Sequence, residues 1–564
     1  MSTKNKKKLI RRNISELPLL KSITEKMGLR GILNEFLPPK NKTEEITPAD
    51  TLILLIYNIA REKNPLYELE GWAGSIDMRC LDYEKYQNVR FTDDRFGKVL
   101  DDLYAVDRAT LMTRIVVEVI KKFNISLERI HNDSTSVSAY GDYPGKTSTG
   151  FELKRGKSKD FLPHLKQLIF SLSISADGAV PIHYKVYPGN RNDDTTHIET
   201  WNTLTKLNEA PNFLYVADCK LCSDSQLSHI VGGGGRAITN IPEFWSEVVS
   251  FKASQREAPT EKKEIWRRYN EETNQTVYFS AYTGDYATNK RGYKIHWIHS
   301  SSKRKDDYSY RERQIKNSEI ELQKLSEKLN KRKYISKDVI RDACDKILKN
   351  YETEKFLEVV IEEKKESYIV KPGKGRPRND IEQKTNKKFV YSITWNRNKK
   401  NIDAEKNIDG IYPLLSTDST LSAKEVLMAY KYQPKLEKRF TQLKSVHNVA
   451  PLLFKKLERI EANMLLFFIA LMIQSLIERE IRSKMKDHGL ESLEIYPEKR
   501  DASRTTTSKV FDFFGNVFSY TIYNDTDVLE EYTDELSMDQ KSILTLLSIS
   551  EPQYWNGINK QSYV

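Results

Sequence analysis

The hydrophobic period changes near Ile125, and that change limits the architectures open to the chain. Before it, Glu16–Phe36, Pro48–Arg61, Thr92–Tyr104 and Arg108–Phe123 carry apolar residues at helical spacing, punctuated by Pro38-Pro39 and Asn64-Pro65. After it the period is two. Ile130-His-Asn-Asp-Ser-Thr-Ser-Val-Ser-Ala-Tyr is rich in strand formers, and Gln167–Ser175 alternates apolar and polar residues. Ala176-Asp-Gly makes a turn into Val180–Tyr187, which returns as a hairpin partner. A helix from about Asp194 to Leu207 leads to the short strand Phe213–Asp218; a further helix and Ala237-Ile-Thr-Asn follow, flanking Gly232–Gly235. Three antiparallel strands and then strands alternating with helices predict a mixed α/β sheet behind an all-helical leader.

The pattern is interrupted between 241 and 409. Strand-like pieces (Val277–Tyr282, Tyr293–His299, Phe356–Ile361, Tyr368–Lys371, Phe389–Trp395) surround a charged helical stretch, Asp306–Tyr351. Ile315, Leu322, Leu325 and Leu329 come close to heptad spacing, but over too short a length for a coiled coil. This segment reads as an insertion of β structure plus a helical arm. Its loop Lys371-Pro-Gly-Lys-Gly-Arg-Pro-Arg378 offers Lys374, Arg376 and Arg378 either as a hook for a narrow DNA minor groove or as a basic loop that touches only phosphate or nothing. Trp245, Trp266 and Trp297 could stack on a flipped base or pack in a core. The expected divisions are 1–124 helical, 125–240 and 410–490 the sheet domain in two parts, 241–409 the insertion, and 491–564 a tail with a strand near Val517–Tyr523 and two short helices.

Composition narrows the partners. With 38% hydrophobic and 30% charged residues the chain is a folded protein of several domains, and its net charge of +12 favours an anionic polymer, nucleic acid being the usual one. Cys80, Cys219, Cys222 and Cys344 are too few for a disulfide framework, and Cys219-Lys-Leu-Cys222 lacks a second ligand pair for zinc. The basic start, Lys4–Arg12, is followed by no apolar signal core, and the apolar run Met464–Ile473 stops at Gln474, short of a bilayer span. A cytoplasmic protein without a membrane partner is expected. The helix Leu457–Lys486 should cover the sheet.

The chemistry concentrates in Tyr430–Lys444. On a helical wheel Tyr430, Gln433, Glu437 and Lys444 fall within roughly 60° of one another, with Leu436, Phe440 and Leu443 beside them as an apolar stripe. Pro434 should bend such a helix. Lys431, Lys435, Lys438 and Arg439 add positive charge. Upstream, Asp133 lies in the first strand and Asp218 ends a later one. Together with Glu437 these carboxylates would suffice to hold divalent metal for phosphodiester chemistry, since hard cations take oxygen ligands. His131, two residues before Asp133, reads as a structural strand histidine before it reads as a base.

With these blocks in order, the sequence resembles the DDE transposases of bacterial insertion sequences. The subgroup is the one marked by Tyr, two residues, Arg, three residues, Glu, six residues, Lys. Tyr430, Glu437 and Lys444 keep that spacing, and Gln433 stands where the signature has Arg. Asp133 in His-Asn-Asp-Ser-Thr-Ser, the segment Pro188-Gly-Asn-Arg-Asn-Asp, and Val216-Ala-Asp218 are similar to the family's successive blocks, over about Ile125–Ser475. The resemblance implies a ribonuclease-H-like core interrupted by a β-rich insertion. It also implies cut-and-paste reaction at terminal inverted repeats, two Mg²⁺ ions (with Mn²⁺ as substitute) on Asp133, Asp218 and Glu437, and a homodimer on double-stranded DNA, working at the bacterial nucleoid. Tyr430, Lys444 and, at the arginine position, Gln433 would face phosphates near the cleaved end. A neutral amide cannot give arginine's bidentate contact there.

Overall fold

The computed structural model describes residues 7–39, 45–61, 64–192, 195–270, 274–283, 289–331, 333–369, 385–450, 452, 454–495, 501–502, 505–524 and 527–558. It is a mixed α/β protein of two compact units, Met1–Thr239 with Met428–Val564, and Asn240–Leu427.

The first unit is built on five strands, β1 (Arg129–Ala139), β2 (Lys166–Ser175), β3 (Pro181–Pro188), β4 (Leu214–Ala217) and β5 (Arg236–Asn240). Their order across the sheet is β3-β2-β1-β4-β5. The first three pair antiparallel, while β4 runs parallel to β1 and β5 parallel to β4. The connections have room for that change of direction: β3 returns to β4 through helix α1 (His197–Asn208), and β4 to β5 through α2 (Asp224–Gly232). The expected start of α1 at Asp194 lies outside the described residues.

Two later helices complete the site region, α3 (Gln433–Thr441) and the long α4 (Leu457–Asp487). Every residue from Met464 to Ile473 in α4 has no exposed surface. This helix is apolar all round because it is covered all round: Pro48–Arg61, Asp93–Ala105 and β3 pack against it. By length and composition it could cross a membrane, yet 94% of its apolar window is buried inside the protein. Burying each of its large side chains contributes about 1.5–3 kcal/mol.

The leader differs from the all-helical expectation. Helices Leu17–Met27, Leu29–Phe36, Pro48–Arg61, Asp93–Ala105 and Arg108–Phe123 form, with Gly28 at φ 70° separating the first two. Ahead of them, however, Lys7–Asn13 is a strand paired antiparallel with Phe518–Asn524, which pairs in turn with Asp527–Thr533. The leader therefore belongs to the first unit together with the tail.

The second unit carries the antiparallel strands Ile411–Ser416, Lys294–Ser300, Gln275–Tyr282 and Lys262–Asn270, in that spatial order. It extends past residue 409 because Ile411–Ser416 pairs with Lys294–Ser300. A separate two-stranded ribbon, Leu357–Ile369 with Thr385–Arg397, is longer than the expected pieces. Charged Glu362–Glu366 masks the alternation there, since a solvated ribbon needs no apolar face. Ile315, Leu322, Leu325 and Leu329, on or just past helix Ser301–Ser326, meet Ile340, Cys344 and Leu348 of helix Lys337–Asn350, together with Tyr391 and Ile393 of the ribbon. Their near-heptad spacing serves a helical hairpin lying on that ribbon. Trp297 is 2% exposed and stacks on Phe251 at 3.8 Å, and Trp266 stacks on Phe279 at 4.9 Å, so both are packing aromatics. Lys374, Arg376 and Arg378, with their loop, lie outside the described residues.

Candidate functional site

Register puts two carboxylates level. In the parallel pair β1 and β4, His131 lies opposite Val216. Two residues further on, each strand presents its aspartate, Asp133 on β1 and Asp218 just past the end of β4. Side chains two residues apart share a face, so both project to the same side of adjacent strands. Asp218 also caps the short turn after β4, its Oδ1 accepting from Lys220 N–H at 3.0 Å. Asp133 Oδ1 accepts from Ser134 N–H at 2.7 Å and stands 3.5 Å from the Lys159 ammonium.

The third carboxylate arrives on α3, and the expected single helix through Tyr430–Lys444 is broken. One helix ends at Tyr430, α3 begins at Gln433, and Gln442–Val446 is a π turn that carries Lys444. Pro434 sits in the first turn of α3, where its missing N–H costs no hydrogen bond, so it does not bend the element. Glu437 is exposed and Lys444 half-buried. The Tyr430 phenol is raised well above its usual range, first by burial and then by the charges of Asp218, Cys219, Asp133 and Glu437. All three carboxylates therefore bear on one hydroxyl.

Gln433 corrects the expectation of a DNA-facing amide. It is 7% exposed and turned into the protein. Its Nε2 donates to Asn132 O at 3.0 Å, and its Oε1 lies 2.9 Å from His131 Nδ1. A carbonyl can only accept, so the amide orientation is fixed and His131 must donate through Nδ1–H. Burial pushes the His131 imidazole down to about 4, and its ring packs on Tyr432 at 5.0 Å. The histidine is structural. Gln433 thus ties the helix of Glu437 to the residues just before Asp133.

Arg439 is likewise inward. It is 5% exposed and donates to Ala179 O at 3.0 Å, Gly178 O at 3.1 Å and the buried Glu478 at 3.0 Å. It anchors α3 to the β2–β3 turn and to α4, and adds nothing to the basic surface.

Sequence reasoning missed the segment between β1 and β2. Lys159 Nζ donates to Ser134 O as well as meeting Asp133, and its backbone N–H donates to Ser136 Oγ at 2.9 Å. The next residue, Asp160, accepts from Lys444 Nζ at 2.6 Å. The available signal was a lysine and an aspartate side by side, but such pairs are common in solvated loops. The segment leaves the sheet where Gly156 and Gly189 approach: a Cβ on Gly189 would come within 2.2 Å of Lys154 O. That contact accounts for the glycine of Pro188-Gly-Asn.

Asp133, Asp218 and Glu437 offer the oxygen donors that a hard divalent cation takes. Among the described residues, no three His, Cys, Asp or Glu side chains are gathered closely enough to hold one ion. Cys219 and Cys222 are reduced thiols, the latter buried.

A family model described as a domain of unknown function, DUF4277, matches residues 9–117. That stretch ends before β1 and includes none of the site residues. No curated protein matches the chain by sequence. Among solved structures, the cryo-EM structure of a piggyBac transposase synaptic complex with hairpin DNA is similar at a TM-score of 0.36 and 9% identity, over 89% of this chain and 79% of that one.

Proposed function

We propose that this protein is a DDE-type transposase, which cleaves DNA at the terminal inverted repeats of an insertion sequence and joins the freed ends to target DNA. The observation that carries the reading is the register of β1 against β4, which levels Asp133 with Asp218, while Gln433 holds the helix of Glu437 to the same stretch of β1. The order β3-β2-β1-β4-β5, three strands antiparallel and two parallel, supports a ribonuclease-H-like core. Asp133, Asp218 and Glu437 are the residues that would hold two Mg²⁺ ions, or Mn²⁺ in their place. When bound, the metal supplies activation of the attacking oxygen and stabilisation of the leaving one.

The chain's own groups orient the strand. Tyr430 keeps its proton at neutral pH and can donate to a phosphate oxygen, and Lys444 offers a point charge once parted from Asp160. Lys159 meets part of the positive charge that Asp133 calls for. The net charge of +12 suits a double-stranded DNA partner, with a homodimer pairing the two ends in the bacterial cytoplasm.

A second reading, a non-catalytic DNA-binding regulator of transposase descent, is favoured by two features: Lys159 already pairs with Asp133, and the three carboxylates are not gathered at single-ion distance. The deciding experiment is cleavage of a labelled duplex carrying the element's terminal repeat, in Mg²⁺ or Mn²⁺ against EDTA, by the wild type and by Asp133→Ala, Asp218→Ala and Glu437→Ala. Metal-dependent 3′-hydroxyl ends from the wild type alone, with binding retained in all variants, are expected. Binding without cutting in either metal would favour the regulator. Cutting without joining would mark a nuclease.

A further inference from the structure

Asp133 sits where strand β1 loses its neighbour. Strand β4 pairs with β1 only from Arg129–Leu214 to His131–Val216. Glu128 O accepts from Leu214 N–H at 2.8 Å, and successive carbonyls of a strand point to alternate edges, so those of Asn132 and Ser134 face the edge that β4 vacates. Backbone carbonyls need donors, and here side chains bring them. Gln433 Nε2 takes Asn132 O at 3.0 Å, and Lys159 Nζ takes Ser134 O. The two donors bracket Asp133. The first carries the helix of Glu437; the second carries a full positive charge, 3.5 Å from Asp133 Oδ1.

The position of that charge is built by the chain around it. Lys159 N–H donates at 2.9 Å to Oγ of Ser136, a residue with no exposed surface. Just upstream, Lys157 O accepts from Gln167 Nε2 at 3.3 Å, and Lys154 bridges to Gln167 through both backbone groups, at 3.2 and 2.9 Å. Gln167 is 1% exposed, so the segment is fastened to the interior of the sheet. A lysine held by Asp133 alone would leave when another cation took the carboxylate. Lys159 is held by a carbonyl as well, and has a reason to stay. With 43% of its side chain exposed, it is also open to an anion arriving from solvent.

We propose that Lys159 is a positioning residue that couples metal binding at Asp133 to DNA binding. In the DNA-free protein its ammonium weakens the hold of Asp133 on a divalent cation, because the two positive charges repel. A phosphate of bound DNA brings negative charge to the ammonium and relieves that repulsion. Metal is then taken up with the strand to be cut and sparingly before it, and by linkage DNA is held more tightly once metal is present. The inference rests on the reading of Asp133 as a metal ligand, and it adds the order in which the site fills.

The test measures two affinities of the full-length protein separately. Mn²⁺ binding without DNA is followed by EPR of the free ion; binding of a fluorescein-labelled terminal-repeat duplex is followed by anisotropy in EDTA, where nothing is cut. Lys159→Gln and Lys159→Met remove the charge, Lys159→Arg keeps it, and Lys157→Met removes one charge from the same segment as a control. Both neutral variants should bind Mn²⁺ about tenfold tighter than Lys157→Met and the duplex about threefold more weakly, with Lys159→Arg close to wild type. Asp133→Asn added to Lys159→Gln should erase the gain in Mn²⁺ affinity. A general loss of structure does not produce opposite shifts from one substitution. Should one neutral variant fall in melting temperature, the other decides. Mn²⁺ held no tighter than in the control, while Asp133→Asn alone lowers it, overturns this inference and leaves the metal site standing. Duplex binding equal to the control overturns it too, since the ammonium would then meet no DNA. Mn²⁺ affinity that Asp133→Asn leaves unchanged defeats the reading of Asp133 on which the inference rests.

Discussion

Gln433 shows how much one side chain's direction changes a prediction. Taken as an outward residue, its replacement by arginine would be harmless or helpful. In the structure both ends of the amide are used, on Asn132 O and His131 Nδ1, in a space 7% exposed. Gln433→Arg would put a guanidinium beside an imidazole that burial keeps neutral, and would remove the acceptor that His131 Nδ1–H needs. The expected cost is about 2–4 kcal/mol, read as a lower urea midpoint with unchanged slope. An arginine variant as stable as wild type would mean that residue 433 can turn outward. The strand positions of Asp133, within β1, and Asp218, just past the end of β4, were legible because both strands stand out in the sequence. The direction of Gln433 was not, because a helical wheel assumes one unbroken helix, and the turn at Lys431-Tyr432 resets the phase between Tyr430 and Glu437.

At the level of elements, the weight falls on α3, a helix of 9 residues that carries Glu437 and is too short to hold its place alone. Gln433 fixes its first turn and Arg439 its last. Arg439 reaches two carbonyls of the β2–β3 turn and the Glu478 carboxylate of α4, a geometry that one lysine ammonium could not reproduce. Burial alone would raise the Glu478 carboxyl; Arg439, Arg482 and the Thr507 N–H more than offset this and hold it below the usual value. Its contribution to stability is therefore present above the unfolded carboxyl's value, about 4.3, and is lost as pH falls through the lower folded one. Arg439→Ala, which leaves that buried carboxylate with Arg482 as its remaining arginine partner and frees two carbonyls, should cost about 3–5 kcal/mol. Glu478→Gln should destabilise at pH 7 yet flatten the acid limb of stability against pH. An acid limb as steep in Glu478→Gln as in wild type would assign it to other groups. None of this pairing is visible in sequence, where Arg439 is one more charge in a basic stretch and Glu478 one polar residue in an apolar helix.

At the scale of the whole molecule, segments far apart in the sequence meet. Lys7–Asn13 alternates too weakly to announce a strand, and only its partner Phe518–Asn524, some 500 residues on, makes it one. Helices and hairpins are local and could be read in order; a strand completed by the far end of the chain could not. The join is more than backbone pairing. Asp77, whose side chain has no exposed surface, accepts from Ser519 Oγ at 2.6 Å and pairs with Arg79 at 2.8 Å, while Arg79 also reaches Glu531 at 2.7 Å. Tyr554, buried, donates through its hydroxyl to Ser15 O at 2.7 Å. The tail is therefore a structural part of the leader. Ser519→Ala leaves the buried Asp77 one donor short and should cost about 1–3 kcal/mol, measured as a fall in melting temperature. Removing everything after residue 500 takes away the strand, the Asp77 donor and the Tyr554 contact together, and leaves Lys7–Asn13 with an unpaired edge. The truncated chain should lose protease protection over its first 120 or so residues, well beyond the strand itself, because the helices behind Ser15 pack on what the tail holds in place. Protection confined to losses within Lys7–Asn13 would instead show that the leader folds independently of the tail.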